Sequence, residues 1–267
     1  MDIRFFDAHC HLQLDAYKED REAIVEQMRA RGIGAIVVGV DYQTSFAAVE
    51  LAREHKHLYA SIGLHPNHTD EVFDQARYRA LVQDPNVVAV GECGLDFFRP
   101  EKLDESVKAA QKELFRAQMA LAAEADKPLI IHARPSRGTF DAYDDLIALV
   151  REAQAAHGAA VRGDVHFFVG APEQARELAA LGFTISFTAV ITFARDYDAA
   201  IRGVPLASIL AETDAPYVAP ASRRSARNDP LAVEEVAAKI ADIRGEDPEE
   251  VRTALVANTR LLFSLPA

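Results

Sequence analysis

Cysteine is scarce in this sequence: Cys10 and Cys93 are the only two among 267 residues. Two thiols cannot build the disulfide framework of a small secreted scaffold, and they suit a reducing compartment. Long apolar runs are also missing. Segments such as residues 35–40 fall far short of the roughly 20 residues that a membrane-spanning helix needs. The first four residues, from Met1 to Arg4, lack the basic-then-apolar profile of a secretory signal, so a cytoplasmic location and no membrane partner are expected. Positive charge is in deficit. The 29 Lys and Arg residues against 41 Asp and Glu leave a formal net charge of −12. A protein that coats duplex nucleic acid displaces counterions with a basic surface, and that role is excluded. Chemistry on nucleic acid stays open, because a bound metal supplies positive charge locally.

What the chain does have is apolar residues in quantity, 49% of the total, with 26% charged. That balance excludes a disordered or collagen-like chain and allows one large core. Short β-branched runs at residues 3–6, 35–40, 58–62, 87–90, 129–131, 165–168, 184–187 and 208–211 read as strands. Amphipathic stretches at 16–31, 44–55, 103–125, 143–157 and 172–181 read as helices between them. Strands alternating with helices imply βαβ units and a parallel sheet. Eight units in a chain of this length predict an α/β fold, a (β/α)8 TIM barrel forming a single domain over residues 1–267. The runner-up, a doubly wound open sheet, would usually carry a glycine fingerprint after its first strand, and none is present. Two closing helices are expected at 231–244 and 248–263, the first with Asp229 as N-cap and Pro230 at the first helical position. The proline-rich stretch 216–230 follows the last strand, where a barrel enzyme carries an active-site loop.

The chemistry-bearing residues gather at strand ends. His9 and His11 are two apart, so an extended chain turns both imidazoles to one side and Cys10 to the other. His55 and His57 share the spacing but precede a strand, on the stability face of a barrel, and are expected on a solvated surface. Glu92, His132, His166 and Asp214 lie at the C-terminal ends of later strands. A barrel converges those ends on one mouth, and carboxylates buried beside imidazoles need a metal or hydrogen bonds to compensate them. A metal site is therefore expected. His157 reads as a helix C-terminal residue and His68 as a surface loop residue. Phe97 and Phe98 read as core, with stacking on an unstacked base as the alternative. Cys10 and Cys93 read as small buried residues. Arg223 and Arg224 read as surface, and Arg227 as a phosphate contact.

The motifs DAHCHL (7–12), IGLHP (62–66), GECGLD (91–96), IHAR (131–134), VHFFVG (165–170), ETDAPY (212–217), RNDP (227–230) and NTRLLF (258–263) occur in that order. As a set they resemble the motif series of the TatD family, metal-dependent deoxyribonucleases among the amidohydrolase-like barrels. The resemblance implies that His9 and His11 hold one divalent ion with Asp214 beside them, that His132 and His166 hold a second, and that Glu92 bridges the two. His65 and Asn228 match positions near the active site and, with Arg227, are the expected substrate contacts. The family's ion is usually taken as Mg²⁺, with Mn²⁺ or Zn²⁺ also found, whereas the imidazole-rich ligand set favours Zn²⁺ or Mn²⁺ on softness grounds. Pro135 and Gly138 after His132, and Phe97-Phe98, depart from the commonest pattern beside the mouth, which bears on substrate range.

The expected function is hydrolysis of DNA, as a phosphodiesterase trimming single-stranded or 3′ ends. Two cations roughly 3.5–4 Å apart would share an activated water. Asp214 is the expected catalytic base or a ligand, with Glu92 setting the metal separation. The same hydroxide attacks carbonyls, so an ester or amide hydrolase such as a D-aminoacyl-tRNA deacylase is the alternative. A non-catalytic metal-binding module is the third reading.

Overall fold

Eight parallel strands form one sheet whose order follows the chain, β1 next to β2 and so on to β8. The structure is a computed structural model and describes residues 2–68, 71–99 and 103–266. The strands are β1 Phe5–Cys10, β2 Ile33–Val38, β3 Leu58–Ile62, β4 Val87–Asp96, β5 Leu129–Arg134, β6 Gly163–His166, β7 Thr184–Phe187 and β8 Ile209–Ala211. The main helices are α1 Arg21–Arg31, α2 Tyr42–Glu54, α3 Gln75–Leu81, α4 Glu105–Glu124, α5 Asp141–His157, α6 Pro172–Ala180, α7 Asp198–Gly203, α8 Val233–Arg244 and α9 Pro248–Phe263. Closure comes at the top: Asp214 N–H donates to the His9 carbonyl at 2.9 Å and His11 N–H to the Ala215 carbonyl at 2.8 Å. The expected (β/α)8 barrel is the observed fold.

Alternation along the strands sorts the core into two parts, as period-two geometry requires. Ile33, Ala35 and Val37 of β2, Leu129 and Ile131 of β5 and Ile209 and Ala211 of β8 pack outward under the helices. Ile36, Val38, Ile130 and Leu210 point the other way and form the barrel interior with Phe6 and Ala8, closed by Val256 and Phe263 of α9. Burying each such Val, Ile or Phe contributes about 1.5–3 kcal/mol. In β1 the pairing register shifts between Asp7 and Cys10. That bulge reverses the alternation, so Cys10 joins the outer core and His9 and His11 turn into the mouth. A second shift lies between Val90 and Cys93 and brackets Glu92.

Helix ends follow local chemistry. Asp41 and Thr44 cap α2 reciprocally, Thr44 N–H donating to the Asp41 carboxylate at 2.7 Å and Asp41 N–H to Thr44 Oγ1 at 3.0 Å. Gly32 ends α1 at φ 71°, where a Cβ would sit 2.6 Å from the Asp2 carbonyl, so only glycine fits. Asp229 accepts the Leu231 N–H at 3.1 Å, but the segment it opens is a short 3-10 turn, Pro230–Ala232, and α8 begins after it.

Several boundaries differ from expectation. Observed β1 runs to Cys10 and β4 to Asp96, well past the expected 6 and 90. The later parts of these strands carry Asp7, His9, Glu92 and Asp96 among apolar residues, and an apolar-run criterion stops short of them. Helices α3 and α7, seven and six residues long, are too short for a readable period. His57 is buried and His55 half-buried rather than solvated, although both lie at the start of β3, away from the mouth. His157 is the last residue of α5, and both cysteines are free and buried. No helix among the described residues is long and apolar enough to cross a membrane.

Candidate metal centre

Glu92 stands at the middle of the mouth, and its two carboxylate oxygens face different histidines. Oε2 lies 3.5 Å from His9 Nε2 and 3.8 Å from His11 Nε2. Oε1 lies 2.9 Å from His166 Nε2, 3.0 Å from His132 Nδ1 and 3.4 Å from His65 Nε2. Asp214 Oδ1 adds a second carboxylate, 3.3 Å from His11 Nε2 and 3.8 Å from His9 Nε2. Asp214 adopts φ 51°, a left-handed conformation that Asp tolerates better than most side chains. Gly94 has φ 132°, and a Cβ there would lie 2.1 Å from the His132 carbonyl, so the glycine lets β4 and β5 approach closely enough to bring Glu92 and His132 together.

Hydrogen bonds on the far side of His11 and His132 fix which nitrogen faces the centre, whereas Nδ1 of His9 and of His166 is buried without a hydrogen-bond partner. His11 Nδ1 lies 2.8 Å from the Val38 carbonyl, which only accepts, so Nδ1 carries the proton and the Nε2 lone pair faces inward. His132 is turned the other way, with Nε2 3.1 Å from Asp96 Oδ2 and Nδ1 inward. His166 Nδ1 lies 3.5 Å from Glu212 Oε1. Glu212 is itself held by Phe167 N–H at 2.7 Å and Ser186 Oγ at 2.9 Å. His65 differs: Asn67 N–H donates to its Nδ1 at 3.1 Å, so Nε2 carries the proton and presents N–H to Glu92. It lines the cavity as a donor.

Burial works against every charge here, and the partners decide the outcome. It would raise the Glu92 carboxyl, but the charges of His166 and His65 and hydrogen bonds from His132 and His166 hold it well below the usual range. Burial would lower His166, yet Glu92 and Glu212 push it well above its ordinary value. His11 and His132 are raised against burial by Asp214 and by Asp96 with Glu92 respectively. Burial and the His166 charge lower His9, and burial takes His65 down to about 4. Below His166, Asp164 is pushed up to about 7 by burial and the Glu212 charge.

The donors suit divalent cations. His9 Nε2 and His11 Nε2 lie 3.1 Å apart, the His11 lone pair faces inward, and His9 Nδ1 is buried without a hydrogen-bond partner. Donor atoms of His9, His11 and Glu92 lie within 4.8 Å of one another, as do those of His65, Glu92 and His132 and of His9, His166 and Asp214. Glu92 belongs to two of these groups and offers each a different oxygen. All six expected ligands, His9, His11, Glu92, His132, His166 and Asp214, are thus brought to one place. They open into a cavity of about 660 Å³ walled by His11, His65, His68, Arg99, Arg134 and Tyr217 among others.

Two expected substrate contacts lie elsewhere. Arg227 is held by Asp20 at 2.5 Å and by the Ala16 carbonyl, with its guanidinium over the Tyr17 ring. It was expected to contact phosphate; it is not among the residues that line the cavity. Asn228 is buried, and its Nδ2 donates to the carbonyls of Thr213, Tyr217 and Val218 at 3.1, 2.8 and 3.3 Å. Its Nδ2 staples the loop after β8, while its Oδ1 is buried without a hydrogen-bond partner. Arg223 pairs with Asp229 at 2.5 Å. The Phe pair splits: Phe97 is core, while Phe98 is 44% exposed. His68, read as surface, is half-exposed but lines the cavity.

Sequence reasoning assigned nothing to Asp96, Glu212 or Asp7. Asp7 is buried and accepts Thr213 N–H at 2.8 Å and Thr213 Oγ1 at 2.6 Å, tying β1 to the chain after β8. Each of the three sits inside a quoted motif, so the signal was a second carboxylate a few residues from a ligand or at the same strand end.

The family model described as TatD related DNase matches residues 6–264. "Uncharacterized metal-dependent hydrolase YabD" of Bacillus subtilis is 37% identical over 97% of this chain and 99% of its own length. "3'-5' ssDNA/RNA exonuclease TatD" of Erwinia amylovora is 32% identical over 97% of this chain and 100% of its own. The crystal structure of YJJV, a TatD homolog from Escherichia coli K12, superposes with a TM-score of 0.88 at 31% identity, covering 100% of both chains. Matched in sequence and in fold along nearly its whole length, the chain belongs to the TatD-related DNase family of metal-dependent hydrolases.

Proposed function

We propose that this protein is a nuclease of two-metal type that hydrolyses phosphodiester bonds at the ends of single-stranded DNA. The observation that carries the reading is Glu92, whose Oε2 faces His9 and His11 and whose Oε1 faces His132 and His166. A carboxylate so placed suits a bridge between two cations, and a two-cation clamp suits in-line displacement at phosphorus. His9 and His11 would hold one ion, His132 and His166 the other, with Asp214 on the first side. When bound, the ions (Mg²⁺, Mn²⁺ or Zn²⁺) neutralise phosphoryl charge and make water acidic enough to react at neutral pH. The printed activity of the Erwinia relative supports a single-stranded nucleic-acid substrate.

The chain's own residues supply the rest. Asp214, with its side chain 13% exposed at the cavity edge, orients the attacking water and accepts its proton. Neutral His65 directs Nε2–H at Glu92 from the cavity wall and so helps to orient that carboxylate. The free, buried cysteines and the absence of a long apolar helix among the described residues agree with work in the cytoplasm.

The deciding experiment incubates metal-loaded protein separately with single-stranded DNA, duplex DNA, RNA and D-aminoacyl-tRNA. Nucleotide release, fastest from single-stranded DNA, is the expected result. Release of an amino acid with no nucleotide release overturns the nuclease reading in favour of a deacylase.

A further inference from the structure

Arg134 is the last residue of β5, on the same face as His132 and Ile130. At about 3.3 Å per residue, its Cα lies roughly 7 Å beyond that of His132, toward the open side of the mouth. Its side chain lines the cavity. Among the described residues its guanidinium contacts no carboxylate, and it lies 4.2 Å from the centroid of the Phe98 ring. Phe98 is 44% exposed, so the ring offers a face to Arg134 at the surface. The other arginine of the cavity, Arg99, has its Nε 3.8 Å from Asp96 Oδ2, so part of its charge is answered within the protein. Among the described residues Arg134 is therefore a cation with no carboxylate partner at the mouth of an otherwise acidic protein.

We propose that Arg134, with its guanidinium carbon over the Phe98 ring, binds the phosphate one linkage away from the scissile one. The proposal rests on the nuclease reading above and assigns it a subsite. A guanidinium held by its face keeps its N–H edge free, and that edge matches two phosphate oxygens. Its distance along β5 from His132 sets it apart from the reacting phosphate and suits the neighbouring one. Phe98 acts as a positioning residue through Arg134. An enzyme built this way prefers oligonucleotides to isolated diesters, because the second phosphate adds a contact the small substrate lacks.

The test compares wild type, Arg134→Ala, Arg134→Lys and Phe98→Leu on three metal-saturated reactions. The substrates are bis(4-nitrophenyl) phosphate, an all-phosphate oligothymidylate, and the same oligomer with an uncharged methylphosphonate at the second linkage from one end or the other. On the all-phosphate oligomer, Arg134→Ala should lower kcat/KM about tenfold, the scale of one charge-assisted contact, mostly through KM. Arg134→Lys and Phe98→Leu should lose less, since each keeps the charge but not the stacked geometry. All variants should match wild type on bis(4-nitrophenyl) phosphate, which also verifies folding. The methylphosphonate should slow wild type about tenfold and leave Arg134→Ala no slower than before, since the two changes remove one and the same contact. Losses that multiply, or an equal loss on the small diester, overturn the subsite. Wild type that cleaves the small diester but no oligomer overturns the nuclease reading itself, and the subsite with it.

Discussion

His132 Nε2 lies 3.1 Å from Asp96 Oδ2, while Nδ1 of the same ring points at Glu92 Oε1 across 3.0 Å. The carboxylate behind the ring sets both its orientation and its tautomer. Asp96 is itself fixed, with Oδ1 accepting Phe98 and Arg99 N–H at 2.9 Å each and Oδ2 accepting Asn67 Nδ2 at 2.7 Å. Burial would raise its carboxyl, but the hydrogen bond and charge of His132 hold it far below the usual range.

Asp96→Asn should therefore weaken metal binding at the His132 side by roughly 10–100-fold, the usual cost of losing such an outer partner. Asn keeps one acceptor oxygen, which cannot serve both the backbone N–H groups of Phe98 and Arg99 and the His132 ring, so the ring loses its anchor. Metal titration followed by calorimetry checks this, and unchanged affinity would remove Asp96 from the centre.

His9→Ala and His132→Ala should each empty a different metal position, because the two rings face opposite oxygens of Glu92. Anomalous scattering from metal-soaked crystals should give two peaks in the parent and one in each variant. A single peak shared by both histidines contradicts the bridged pair.

Stability of the metal-free protein should depend on pH through two opposed groups. His166 is raised when folded, so its contribution is full below about pH 6.5 and is lost as pH rises through its folded value. Glu92 is depressed when folded, so its contribution is full above about pH 4.5 and is lost as pH falls through its folded value. Together they favour the metal-free fold most between those limits. Bound metal displaces imidazole protons, so the rise in Tm on adding metal should grow from pH 6 to pH 8, and activity should vanish with EDTA and fall at acid pH. Thermal melts with and without metal measure this. A metal-induced rise that shrinks with pH would be the contrary result.

Asp214→Asn should lower kcat by roughly two orders of magnitude with metal in excess, since the amide cannot take the proton of water. Unchanged turnover in the metal-saturated variant would shift the base to another residue.

Arg227→Ala should leave KM for DNA close to wild type, because its guanidinium is engaged with Asp20 outside the cavity. Asn228→Ala should instead destabilise the fold by about 1–3 kcal/mol, leaving buried carbonyls of the β8 loop without their donor. Steady-state kinetics and melting curves on the two variants separate these roles. A tenfold rise in KM for Arg227→Ala would return that residue to the substrate.

Strand and helix alternation, the barrel and the gathering of the six expected ligands at its mouth were legible along the chain because each rests on local pattern. β-branched runs make strands, and a barrel collects whatever stands at their C-terminal ends. The tertiary structure decided what lies behind and beside the ligands. Asp96 reaches His132 across 36 positions, and Asp7 reaches Thr213 across 206. No local spacing encodes such pairs, since they depend on barrel closure and on the register shifts in β1 and β4. The same holds for arginine. Arg227 and Arg134 are equally plausible phosphate contacts as letters in a motif. Folding brings Asp20 to the first and, among the described residues, an aromatic face and no carboxylate to the second.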